Sequence, residues 1–169
     1  MSTIGYEGAS LDAFLATLKD LGVTLLIDVR DYPVSRKRGF SKTALAGYLR
    51  NAGIEYVHLM GLGDPKPGRI AATSGHMDEF RKIFLAHMQV EAAQRDLQRA
   101  EMLIEQTSHA CIMCYERDPE QCHRSLVAKM LFDRKPLQIK HRGVRDKVEH
   151  VRNVGKRTGI DSGQSPTSR

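Results

Sequence analysis

The chain of 169 residues contains no tryptophan, and aromatic residues make up only 6% of it. Platforms that stack single-stranded nucleic acid need several aromatics close together, and no such cluster appears. Cysteine is as scarce, with Cys111, Cys114 and Cys122 the three present. An odd number crowded into so short a stretch does not build a disulfide framework and points to thiol chemistry, metal binding or small apolar packing. No apolar run approaches the ~20 residues of a membrane span. The opening MSTIGYEG lacks the basic-then-apolar order of a secretory signal. A cytoplasmic protein without a membrane partner is expected.

What remains is an ordinary globular composition, 41% hydrophobic, in a chain long enough to enclose one core and cramped for two. The net charge of +6 is unevenly placed. Residues 1–134 carry seventeen basic and seventeen acidic side chains, whereas residues 135–169 carry nine and three. From Arg152 on, the chain is rich in Gly, Ser, Lys and Arg with little to bury. One domain over residues 1–151 and a basic, disordered tail over 152–169 are expected. The tail is either solvated or a contact for nucleic acid.

Hydrophobic periodicity divides the domain into alternating strands and helices. Thr3 to Tyr6 reads as a strand, followed by a helix capped by Ser10, carried by Phe14, Leu15 and Leu18, and stopped at Gly22. Val23 to Val29 is an almost unbroken apolar run, as in a strand buried on both faces. A basic loop, DYPVSRKRGF, leads to a helix capped by Ser41 and closed at Gly53, then a strand over 54–59. Residues 61–76, dense in Gly and Pro, read as a long surface loop or flap. Helices over 77–88 and 91–106, a strand over 109–114, a helix carrying Leu126, Met130 and Leu131, and a strand over 137–140 complete the pattern. The fold class is α/β: a three-layer sandwich around a mostly parallel sheet of about five strands.

In such a sheet ligands bind beyond the carboxyl ends of the strands. The sequence sends Tyr6 and Glu7 there from the first strand, and Asp28, Arg30, Ser35 and Arg38 from the second. His58 and the Leu62–Asp64 loop come from the third, Cys114, Glu116, Cys122, His123 and Arg124 from the fourth, and His141 from the fifth.

Several of these residues admit two readings. Arg30, with Arg36, Arg38 and Arg124, can form a fork set for phosphate, or Arg30 can brace Asp28. Glu116 can serve as general acid or base, or as a partner for an arginine. Cys114, Cys122 and His123, with His141 as a fourth donor, can hold zinc. Alternatively Cys122, at a helix N-terminus beside His123 and Arg124, is a thiolate of lowered pKa, with Cys111 and Cys114 packed on the strand.

The segments TIGYEG, LIDVR-x2-P-x-S ending in GF, GI-x-Y with a following LG, and C-x-E-x5-CHR before a helix together resemble the domain of unknown function 488 family. The resemblance covers nearly all of residues 2–150. It implies an α/β sandwich and a site at Tyr6, Arg30, Ser35, Cys114, Glu116, Cys122, His123, Arg124 and His141, and it implies no reaction. LIDVRDYP and RSLVAKML also resemble rhodanese-type sulfurtransferases. The anion-cupping loop of those enzymes needs Cys and Arg bracketing five residues, and here the arginine arrives only at Arg124.

The expected function is an enzyme acting on a small phosphate-bearing or nucleotide-like anion at the carboxyl edge of the sheet. Glu116, Cys122, His123 and Tyr6 are the catalytic candidates, and Arg30, Ser35, Arg38, Arg124 and His141 the anion-binding ones. The alternatives are a nucleic-acid-associated module with a structural Cys/His site and a thiol-based sulfurtransferase-like activity. No cofactor is assigned; zinc on Cys114, Cys122 and His123 is weighed below none.

Overall fold

The computed structural model describes residues 1–144, and the expected basic tail at 152–169 lies outside the described residues. Five strands form one wholly parallel sheet in the order β3-β2-β4-β1-β5. They are β1 (Ser2–Gly5), β2 (Leu25–Asp28), β3 (Glu55–His58), β4 (Ala110–Cys114) and β5 (Lys140–Arg142). Six helices cover it: α1 (Leu11–Asp20), α2 (Lys42–Asn51), α3 (Lys66–Thr73), α4 (Met77–His87), α5 (Glu91–Glu105) and α6 (His123–Arg134). The expected α/β class and near-parallel sheet are thus what the chain adopts.

The period-2 alternation of the central strands divides the core into two layers. Leu25 and Ile27 of β2, with Ile112 and Cys114 of β4, face Phe80, Phe84, Leu97, Val127 and Leu131 from α4, α5 and α6. Leu26, Cys111 and Met113 face the other way, against Phe14, Leu18, Leu45 and Leu49 from α1 and α2. Both faces of β2 and β4 are dry, which is why Val23 to Val29 and Ala110 to Cys114 carry almost no polar residue.

Three local expectations are corrected. Residues 61–76 are not an open loop: a 3-10 turn over Met60–Leu62 leads into α3, whose first turn carries Pro67. Proline fits that position because a first-turn N–H has no intrahelical partner to lose. The last strand begins at Lys140, not Leu137, because its ladder is set by pairing Ser2 with Lys140 and Ile4 with Arg142. Ser10 caps α1 by accepting the Ala13 N–H, as expected. Ser41 does not cap α2; its hydroxyl closes the preceding basic loop, accepting the Ser35 N–H and donating to the Ser35 carbonyl.

β4 is inserted between β1 and β2, although β1 and β2 follow one another in sequence. The chain leaves β1 and β2 toward the face covered by α1 and α2, and leaves β3 and β4 toward the opposite face. Neighbouring strands whose connections diverge leave a crevice at their carboxyl ends.

Candidate functional site

A cavity of about 590 Å³ opens there, within the range of small-molecule sites. Tyr6 and Gly8 line it from the end of β1, Arg30 to Lys37 from the end of β2, and Cys114 to Glu116 from the end of β4. Asp64, Arg69 of α3 and His123 of α6 close it. Arg36 and Lys37 stand on its rim, and no ion pair among the described residues uses either. Tyr32, 72% exposed, and Tyr115, 46% exposed, offer aromatic surface at its mouth.

Of the two readings of Arg30, the structure shows the brace. Its Nη2 lies 2.6 Å from Oδ2 of Asp28, and its Nε donates to both carboxylate oxygens. Nη1 donates to the Tyr6 hydroxyl at 2.8 Å and to the Phe40 carbonyl at 2.9 Å. Tyr56 donates its hydroxyl to the same Asp28 carboxylate at 2.6 Å, and burial against that charge pushes its pKa up. Arg30 therefore fixes the basic loop through Phe40 and holds Tyr6 in the wall, where the Tyr6 ring stacks on Phe40 with centroids 4.3 Å apart. Tyr6, expected to be catalytic, is a buried wall residue.

Beyond β4 the C-x-E-x5-C-H segment folds back on itself. Cys114 ends the strand, a 3-10 turn occupies Pro119–Gln121, and Cys122 caps α6 by accepting the Arg124 N–H. Ligand atoms of Cys114, Glu116, Cys122 and His123 all lie within 4.8 Å of one another. Cys114 Sγ is 3.1 Å from Glu116 Oε2, and His123 Nε2 donates to the Val29 carbonyl at 2.7 Å. Burial pushes both thiols up, Cys122 most strongly, which reverses the lowered pKa expected of Cys122 from its place at a helix N-terminus. Burial pulls His123 down, but its contact with Cys122 outweighs that and holds it at about 9. Glu116 would be raised by burial, yet hydrogen bonds from Cys122, its own backbone and Cys114 keep it below the usual carboxylate range. Its carboxylate pairs with no arginine among the described residues. The segment can be held this close to β1 because Gly5 has no Cβ: one there would run into the Glu116 carbonyl.

Asp64 was seen in sequence only as part of a loop shaping the pocket, and it is the main site residue that was missed. It is 4% exposed, and its Oδ1 has no hydrogen-bond partner. Burial raises its pKa to about 6, against the opposing charges of His123 and Arg69. Gly68 in α3 makes the room, since a Cβ at that position would collide with the Asp64 carboxylate. Arg69 donates to the Asp64 carbonyl and pairs with Asp31 at 2.7 Å, tying α3 to the end of β2. The G-D-P-x-P-G spacing was the available signal, since it starts a helix and then leaves a gap one turn in.

Four expected site residues do not reach the cavity. Arg124 is fully buried, and its guanidinium donates to the carbonyls of Glu116 and Arg117 and to Thr3 Oγ1. It props the loop from behind and has no donor turned to an anion. His141 sits in β5 opposite Thr3, with its Nδ1 hydrogen-bonded to the Thr3 hydroxyl at 2.8 Å, and so cannot complete a metal site with Cys122. Arg38 is exposed and does not line the cavity, unlike Ser35, which does. Cys122 lies behind the cavity floor, in contact with Cys114 and His123.

Among known families, the model of the domain of unknown function DUF488 matches residues 10–131, taking in every cavity residue except Tyr6 and Gly8. No curated protein and no solved structure matches the chain.

Proposed function

The chain belongs to the DUF488 family, and we propose that it is an enzyme acting on a small phosphate-bearing, nucleotide-like molecule held in the cavity at the carboxyl edge of the sheet. The observation that carries this is the buried carboxyl of Asp64, which lines the cavity together with Arg36 and Lys37. Its Oδ1, packed against Gly68 without a donor, costs about 1–3 kcal/mol when ionised. A carboxyl held at about 6 is also poised to give or take a proton near neutral pH. The rim cations suit a phosphate, and Tyr32 and Tyr115 suit the flat face of a base. Asp64 thus takes the acid–base role, while Arg36, Lys37 and Ser35 take the anion-binding role expected of Arg124 and Arg38.

Calorimetric titration with mononucleotides, the matching nucleosides and inorganic phosphate tests this. The mononucleotide is expected to bind more tightly than its nucleoside, and a double Arg36→Ala, Lys37→Ala variant should remove that advantage, on the order of tenfold. Asp64→Asn should weaken nucleoside and nucleotide alike. No heat from any of the three ligands would overturn the reading. If cavity variants bind normally while removal of residues 152–169 abolishes binding to oligonucleotides, the nucleic-acid module replaces it.

A further inference from the structure

The four donors of the C-x-E-x5-C-H segment come from two elements that meet only in the fold. Cys114 ends β4 and Glu116 follows it, whereas Cys122 caps α6 and His123 opens it. Donors bound at about 2.0–2.3 Å around a tetrahedral zinc ion stand roughly 3.3–3.8 Å apart. The separations here, all within 4.8 Å, exceed that by no more than about 1 Å, within the reach of side-chain rotation. Cys114 Sγ already lies 3.1 Å from Glu116 Oε2 and 3.8 Å from both ring nitrogens of His123.

Three further features suit a metal better than a packed core. His123 Nε2 donates to the Val29 carbonyl, which leaves Nδ1 as the nitrogen that can ligate once it loses its proton. A ligating imidazole is usually oriented in this way, by a backbone carbonyl on its other nitrogen. Cys122 Sγ accepts the Arg124 N–H at the positive end of α6, which favours a thiolate once a cation replaces the proton. The two thiols and the imidazole are each no more than 5% exposed and contact one another and a carboxylate. Two sulfurs, one nitrogen and one oxygen form a borderline-soft set, which suits zinc and disfavours magnesium or calcium.

We propose that Cys114, Glu116, Cys122 and His123 form a zinc site. The ion joins the end of β4 to the start of α6, and Glu116, which lines the cavity, is the ligand on its open side. This site does not depend on the identity of the cavity's ligand. Each thiol and the His123 imidazolium give up a proton to solvent as the ion binds, and no oxidant or reductant takes part.

The test uses the full chain, expressed with zinc in the medium and purified without chelator. About one zinc per chain is expected by mass spectrometry, falling towards none in Cys114→Ser and Cys122→Ser. Metal-free protein titrated with cobalt(II) should develop the visible bands of a tetrahedral ion together with thiolate-to-cobalt charge transfer. Glu116→Gln should weaken cobalt binding and shift those bands with the fold intact. The cobalt titration needs no substitution, so it decides the matter even if the cysteine variants do not fold. Absence of zinc and of charge-transfer absorption in the parent chain would overturn the site. Because no nucleotide enters these measurements, the metal site and the cavity's proposed ligand can each fail alone.

Discussion

His123 Nε2 donates to the carbonyl oxygen of Val29 at 2.7 Å, across 94 residues of sequence. The bond fastens the first turn of α6 to the end of β2 and holds the imidazole beside Cys114, whose Sγ is 3.8 Å from both ring nitrogens. The neighbouring strand end is held in the same way: His58 Nε2 lies 2.7 Å from the Arg30 carbonyl. The two carbonyls that follow Asp28 are thus both fixed by imidazoles, and the floor of the cavity is rigid before any ligand arrives.

Arg124→Ala is expected to lower stability by about 3 kcal/mol or more. It removes the donors to the Glu116 and Arg117 carbonyls, and each buried acceptor left bare costs about 1–3 kcal/mol. A shift of the urea midpoint with an unchanged m-value would measure it. A surface-like loss below about 0.5 kcal/mol would refute the assignment of Arg124 as a buried prop.

Asp28→Asn should be as damaging, for a different reason. Asp28 is fully buried and Arg30 is 6% exposed. Removing the carboxylate strands a buried guanidinium, and breaking such a pair costs about 3–5 kcal/mol. Thermal melting of this variant beside Tyr56→Phe, which removes only one neutral donor to Asp28, should show much the larger loss in Asp28→Asn.

The stability of the fold should carry the signature of Asp64 as pH changes. Its carboxyl is raised from 3.8 to about 6 by burial, so the folded state holds this proton more tightly than the unfolded chain does. Its contribution is most favourable below pH 4, declines as pH rises toward 6 and then levels off. The whole effect amounts to about 3 kcal/mol at most. Asp64→Asn carries no such dependence. Melting temperatures of the two proteins should coincide near pH 4 and separate in favour of the variant by pH 7. Parallel curves across this range would contradict the raised carboxyl.

Gly5→Ala should disturb the site more than the fold. The added Cβ meets the Glu116 carbonyl and must push the segment after β4 away from β1, at a cost of about 1–3 kcal/mol. Mononucleotide affinity should fall with it. Gly47→Ala, whose Cβ would meet nothing within 4 Å in α2, serves as the control. It should leave affinity unchanged and add up to about 1 kcal/mol of stability.

Much of this was written in local pattern. The unbroken apolar runs at 23–29 and 110–114 require strands dry on both faces, which requires helices on both faces and hence a parallel sheet with its polar strand ends on one edge. Cys114, Glu116, Cys122 and His123 were legible as a group because one strand–turn–helix spans them. Packing between distant segments decided the rest. Whether Arg124 faces an anion or a pair of carbonyls depends on Thr3 in β1 and on the path of the loop behind Gly5. His141 left the site because the ladder set it opposite Thr3, well short of the carboxyl edge. Asp64 entered it because Gly68, one turn into a helix hidden in a Gly- and Pro-rich stretch, lets its carboxylate be buried without a donor. Periodicity is a property of neighbouring residues and survives in the bare sequence. Desolvation and hydrogen-bond partnership depend on residues far apart in the chain, so they appear only when those segments are brought together.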